Sequence, residues 1–198
     1  MRRFLVRVAG PIILLASFSS AIPTTVGAGA LNPPPPPGAR CATNAHSTIC
    51  TFSFTDQQLG VSSGVSCPGF EVLENALVYI DVRRTYDRNG DLVEAKRHVK
   101  QPLKNNENVW YNSTDPSKAV LQGGNWTVTF AFTTPGDPTT AVMVAVTGDQ
   151  SRVKSPGGGV ILQDAGRLTY DLNGDLTFEA GNHMLTDGDT ARVCAALA

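Results

Sequence analysis

Two stretches of this chain, Asp87-Arg88-Asn89-Gly90-Asp91 and Asp171-Leu172-Asn173-Gly174-Asp175, each gather three oxygen-bearing side chains within five residues, as calcium loops do. A helix-loop-helix calcium site also needs glycine at its sixth position and a bidentate acid at its twelfth. Counted from Asp87 and Asp171, those places hold Leu92 and His98, then Leu176 and Asn182, so the stretches read as turns. The match runs from Thr85 to Leu92 and from Thr169 to Leu176, and a Glu-Ala pair and a histidine follow each copy. Hairpins converge on such turn chemistry and the flanks differ, so the similarity is read as convergence rather than as a duplicated half-domain.

Proton transfer or nucleophilic attack would draw on the three histidines, His46, His98 and His183. None lies in a nucleophile motif and no Gly-x-Ser-x-Gly elbow is present, so a triad would have to be assembled from distant segments. Glu71, Glu74, Asp81, Glu94 and Glu179 are the candidates for a glycoside-cleaving carboxylate pair, but acids on alternating strands ordinarily face water. Gly157-Gly158-Gly159 follows Ser155-Pro156 with no lysine or helix start after it, which makes it a hairpin loop rather than a phosphate cradle. No catalytic residue, metal or cofactor is assigned from these patterns. Asn112-Ser113-Thr114 and Asn125-Trp126-Thr127 match the glycosylation sequon.

Cys41, Cys50, Cys67 and Cys194 form an even set, which in an exported chain reads as two disulfides. Three pairings are allowed. The eight residues between Cys41 and Cys50 make a short, closable loop, which favours that pair and leaves Cys67 with Cys194. In the loop-entropy account the short closure contributes about 2.7 kcal/mol and the long one roughly 5 kcal/mol. No C-x-x-C spacing supports zinc instead.

A last group of side chains suggests binding rather than reaction. Trp110, Tyr111, Trp126, Phe130 and Phe132 offer more aromatic surface than a small barrel needs to fill itself, and they are the candidate lining for one small hydrophobic ligand. Core packing is their plainer role.

The frame that must position these groups is all-β. From Ile49 onward apolar residues alternate with polar ones between turn signals, and no helical period appears before the last ten residues. In Asn125–Thr133, Trp126, Val128, Phe130 and Phe132 share one face, with Thr127, Thr129, Ala131 and Thr133 on the other. Val78, Ile80 and Val82, Val142, Val144 and Val146, and Leu168, Tyr170 and Leu172 alternate in the same way. Asn89-Gly90 and Asn173-Gly174 predict hairpins, so neighbouring strands should pair in an antiparallel meander of about 8–10 strands. A barrel is preferred over a sandwich, because closure removes exposed edges. Asp189–Ala198 reads as a short C-terminal helix capped by Asp189 or Thr190.

The chain divides into a secretory signal at 1–30, a proline-rich spacer and disulfide loop at 31–48, and one β domain at 49–198. Arg2, Arg3 and Arg7 precede an apolar run from Val8 to Phe18, and small residues near Ala28 and Ala30 supply the cleavage site. The run is too short to anchor the chain in a membrane. Pro33–Pro37 is extended and cannot join a sheet, so it reads as a spacer. Removing the signal leaves 13 basic against 17 acidic residues, with no cationic stripe for nucleic acid.

Cys67-Pro68-Gly69-Phe70, Pro156-Gly157-Gly158-Gly159-Val160 running into Asp164-Ala165-Gly166-Arg167, and the ending Val193-Cys194-Ala195-Ala196-Leu197 resemble a group of small secreted proteins of actinomycete bacteria. The resemblance spans roughly residues 50 to 198, with Pro68 interrupting the group's Cys-Gly-Phe and no counterpart to Cys41 and Cys50. It too implies a Cys67–Cys194 bridge, and it brings no activity.

The sequence alone does not define a function. Its leading reading is a secreted, non-enzymatic binding or structural module, with a small hydrophobic ligand or an extracellular protein as partner. The alternatives are a secreted hydrolase or isomerase with its site at a barrel mouth, and a protease inhibitor displaying the Cys41–Cys50 loop.

Overall fold

The computed structural model describes residues 30–103, 107–185 and 187–198, so the expected signal segment lies outside it apart from Ala30. The described residues form nine strands: β1 (Arg40–Thr43), β2 (Thr48–Cys67), β3 (Phe70–Tyr86), β4 (Leu92–Gln101), β5 (Val109–Asn112), β6 (Ala119–Phe132), β7 (Ala141–Lys154), β8 (Val160–Tyr170) and β9 (Leu176–His183). One helix, α1 (Ala191–Leu197), ends the chain. No helix among the described residues is long and apolar enough to cross a membrane.

All nine strands belong to one antiparallel sheet in the order β1-β2-β3-β4-β6-β7-β8-β9, with β5 pairing both β3 and β6. The meander is thus interrupted once. β3 and β6 run longer than β4, and four-residue β5 fills the gap beyond the end of β4, opposite Val72–Asn75 and Ala119–Leu121. The two Asn-Gly hairpins also differ from the expected two-residue turn. In each, Asp87 or Asp171 opens a turn whose glycine takes a positive φ of 90° or 84°, and a register shift follows in the ladder. That is the three-residue loop with a glycine bulge.

The expected barrel needs correction. Among the described residues no ladder joins β9 to β1 or β2, so the sheet is an incomplete roll rather than a closed ring. It is nevertheless strongly curved. α1 touches β2, β6 and β8, although β2 and β8 would lie about 24 Å apart in a flat sheet, roughly twice the width of a helix. Glycines permit the bend: Gly148, Gly166 and Gly181 stand in register on β7, β8 and β9, each at positive φ. Side chains there would collide with neighbouring backbone, so glycine is what lets the three strands bend together at this point.

The inner face of the roll carries the core in three groups. At the helix end, Val65, Val72, Trp110, Val120, Val153 and Leu162 pack against Val193 and Leu197. In the middle, Ala76, Val78 and Val99 pack with Ile80 and Trp126. At the far end, Cys50, Tyr86 and Leu92 are covered by Leu31 and Phe132. The proline-rich segment is tied to that end at its start. Asn32 donates its N–H to Gly90 O at 2.8 Å and accepts from Leu92 N–H at 2.9 Å, while the Tyr86 hydroxyl donates to Pro33 O at 3.0 Å.

Both expected disulfides are present. Cys41 and Cys50 face each other across β1 and β2, and Cys67 at the end of β2 is joined to Cys194 on α1. Paired cysteines of this kind fit an oxidising, extracellular setting.

Candidate functional site

Strand pairing assigns each candidate residue to one of two faces. On the outer face Ser53, Asp81, His98, Thr127 and Thr147 stand side by side across β2, β3, β4, β6 and β7. Asp81 accepts from the Ser53 hydroxyl at 2.6 Å and from Lys100 Nζ at 2.9 Å, and these two groups hold its carboxyl below the usual carboxylate range. His98 Nδ1 lies 3.0 Å from the Thr127 hydroxyl. Ser53, Asp81, His98 and Thr127, with Arg40 and Lys96, line an open groove of about 640 Å³. Its polar groups largely satisfy one another, and Asp81 and Lys100 are half exposed, which makes it a solvated sheet face.

The two look-alike turns place their histidines on opposite faces. His98 lies outside, whereas His183 is buried on the inner side against Asp164, in register on β8. His183 Nδ1 is 3.0 Å from Asp164 Oδ1 and Nε2 is 3.2 Å from Ala180 O. Both ring nitrogens are therefore engaged by acceptors, an arrangement that suits the doubly protonated imidazolium and leaves no lone pair for a reaction. Burial works against that charge. The bond to Asp164, the bond to Ala180 O and the charges of Asp164 and Glu179 outweigh it and raise the pKa. His46 sits in the β1–β2 turn, donating its N–H to Asn44 Oδ1 at 2.8 Å.

The carboxylates proposed for glycoside cleavage are scattered. Glu74 is turned inward and accepts from Gln101 Nε2 at 3.1 Å, which in turn contacts Gln122. Burial raises its pKa, and Gln101 and the nearby Trp110 indole partly offset this, although Trp110 Nε1 reaches no hydrogen-bond geometry. Asp81 points outward and Glu71, Glu94 and Glu179 lie on other ladders. In both look-alike turns the first carboxylate is taken up by its own backbone. Asp87 Oδ1 accepts from Asn89 and Asp91 N–H, and Asp171 Oδ1 from Asn173 and Asp175 N–H, at 2.8–3.0 Å. Among the described residues no group of three or more His, Cys, Asp or Glu side chains is placed to hold a metal.

The five aromatic candidates do not share one pocket. Trp110 is buried under α1, and Tyr111, next along β5, points to the opposite face. Trp126, Phe130 and Phe132 do share the inner face. Trp126 belongs to the middle cluster and Phe132 to the far end.

Phe130 is part of an arrangement that sequence reading missed. On the inner face Arg84 Cζ lies 5.3 Å from the Phe52 ring centroid, and Arg97 Cζ lies 5.2 Å from that of Phe130. Register sets Val82 opposite Arg97 and Arg84 opposite Ala95, which makes the two arginines diagonal neighbours. A phenyl–guanidinium–guanidinium–phenyl row thus crosses β2, β3, β4 and β6. Phe54 stacks beside Phe52 at 6.4 Å and is 41 % exposed. Because the roll is open, this stretch of its inner face is only partly covered: Phe52, Ile80, Val128 and Phe130 are half-buried and Arg97 is exposed.

The Cys41–Cys50 loop is a tight hairpin rather than an extended display segment. Asn44 N–H donates to Ser47 O at 2.9 Å, and the Asn44 side chain accepts from two backbone N–H groups. No family model, curated protein or solved structure matches the chain.

Proposed function

We propose that this protein is an exported, non-enzymatic binding module that holds one small ligand with an apolar body against the inner face of its open roll. One observation carries the reading: Phe52, Phe54, Ile80, Val128 and Phe130 form an apolar strip in the middle of the sheet that none of the described residues covers fully. Burying such a strip contributes about 25 cal/mol per Å² of apolar surface, a sufficient drive for a ligand of modest size. A leader at 1–30 and a bacterial, secreted origin belong to the same proposal, of which the paired cysteines support the secretion.

The alternative readings find less support. A hydrolase would draw on His98, but its neighbours sit on regular strands whose backbone N–H groups are used in ladders, leaving none to stabilise an oxyanion. An inhibitor would need a projecting loop where the chain makes a four-residue turn.

Native mass spectrometry of the protein purified from culture medium tests the proposal. A retained small molecule would appear as added mass, and the added mass should be lost when Phe52 and Phe130 are both replaced by serine. Retention unchanged in that double variant would place the ligand elsewhere and overturn the reading.

A further inference from the structure

We infer that the ligand carries an anionic head, which Arg84 and Arg97 clasp between them while its apolar body lies along Phe52, Phe54 and Val128. The inference rests on the binding role proposed above and names the chemical class: a single amphiphile, free in solution, with one carboxylate-like group and an alkyl or aryl body.

Three observations converge. First, Arg84 and Arg97 are adjacent like charges on a partly covered apolar face, and neither belongs to any ion pair among the described residues. Partial desolvation of its guanidinium against the sheet, and then the charge of Arg84, depress the pKa of Arg97, although much of the side chain is exposed. Two guanidinium groups so placed repel each other until an anion is bound between them.

Second, the inner-face acids that could have neutralised them are engaged elsewhere. Asp56 accepts from Gln58, Glu74 from Gln101, Asp164 is paired with His183, and Glu179 stands on β9, four ladders away from Arg97 on β4. Asp81 lies on the outer face with Ser53 and Lys100.

Third, each guanidinium rests over a phenyl ring, which holds its plane and leaves the N–H fork free to meet a planar two-oxygen acceptor. The rings and the exposed Phe54 continue the site as apolar surface, so charge and grease lie side by side at the spacing of neighbouring strands. The arginines stand mid-sheet on the inside of a curved roll rather than on a projecting rim. That position favours a single molecule over a bilayer.

The test uses the intact exported protein, with decanoate and decanol as probes below their aggregation concentrations, followed by calorimetry. Decanoate should bind the native protein at least tenfold more tightly than decanol. Arg84→Gln with Arg97→Gln should remove that advantage and leave decanol binding within about twofold. A circular dichroism melt shows whether the double variant is folded. If it is not, Arg84→Lys with Arg97→Lys serves, retaining charge but losing the fork, and decanoate should weaken severalfold.

The outcomes separate the two claims. Failure of both probes on the native protein overturns the binding role itself. Equal affinity for decanoate and decanol, unchanged in the variant, overturns the anionic head alone. Sedimentation with phosphatidylglycerol vesicles without decanoate binding would overturn the free amphiphile in favour of a membrane surface.

Discussion

Asp164 and His183 face each other across β8 and β9 at 3.0 Å, each almost wholly buried, and together they fasten the last strand of the sheet. The His183 pKa is raised in the folded protein, so the pair's stabilisation is fully present below the ordinary histidine value of about 6.5 and is lost as pH rises through the folded value. The thermal midpoint should therefore fall between pH 6 and pH 9. His183→Gln should flatten that dependence. His183→Ala removes the histidine side of this buried pair and should cost about 3–5 kcal/mol at pH 6, measured by urea unfolding.

The two disulfides should differ in weight. Cys67 and Cys194 are 127 residues apart in sequence, Cys41 and Cys50 only 9. Replacing the long-range pair by alanine should cost roughly 5 kcal/mol and the short-range pair about 2.7 kcal/mol, read from denaturant midpoints with slopes compared. The long-range loss should also expose Trp110, since α1 covers it, and shift its fluorescence to the red.

Gly166 and Gly159 make a controlled pair. A methyl group on Gly166 would collide with Ala180 O and lie 2.8 Å from Gly181 Cα and 2.9 Å from His183 Nε2, at a φ of +153°. Gly159 has open space around it. Gly166→Ala should destabilise by more than about 2 kcal/mol, whereas Gly159→Ala should stay within about 0.5 kcal/mol.

Asn112 should escape glycosylation despite its sequon. Its side chain is buried, donating to Leu197 O at 3.0 Å and accepting from Thr114 and Asp115 N–H. Expression in a glycosylating host should yield no glycan on Asn112, by peptide mass mapping. Asn112→Ala should cost about 1–3 kcal/mol by freeing the last turn of α1.

Local pattern made much of the fold legible. Alternation in Asn125–Thr133 placed Trp126, Phe130 and Phe132 on one face, Asn-Gly pairs marked two hairpins, and loop length favoured both cysteine pairs. What the sequence withheld depends on register between distant strands. Trp110 and Trp126 look alike in sequence, yet one is sealed beneath α1 and the other stands mid-sheet. Nothing near Arg84 or Arg97 in sequence marks them as neighbours, since their meeting depends on the pairing of Val82 with Arg97. The barrel expectation failed similarly, because strand count and turn spacing do not reveal whether the first and last strands meet. Gly148, Gly166 and Gly181 were the available signal, three glycines inside strand runs, where each marks a bend or a close backbone approach.

The Cys67–Cys194 bond also sets an order of events. Its two sulfurs belong to the second strand and to the closing helix, so seven further strands must be synthesised after Cys67 before the clasp can shut. Until then the apolar surface around Val65 and Val72 has no lid, and a chain stalled during synthesis would offer it to chaperones or to aggregation. The C-terminal helix is thus the latch of the domain, and the end of the core that it covers is sealed last.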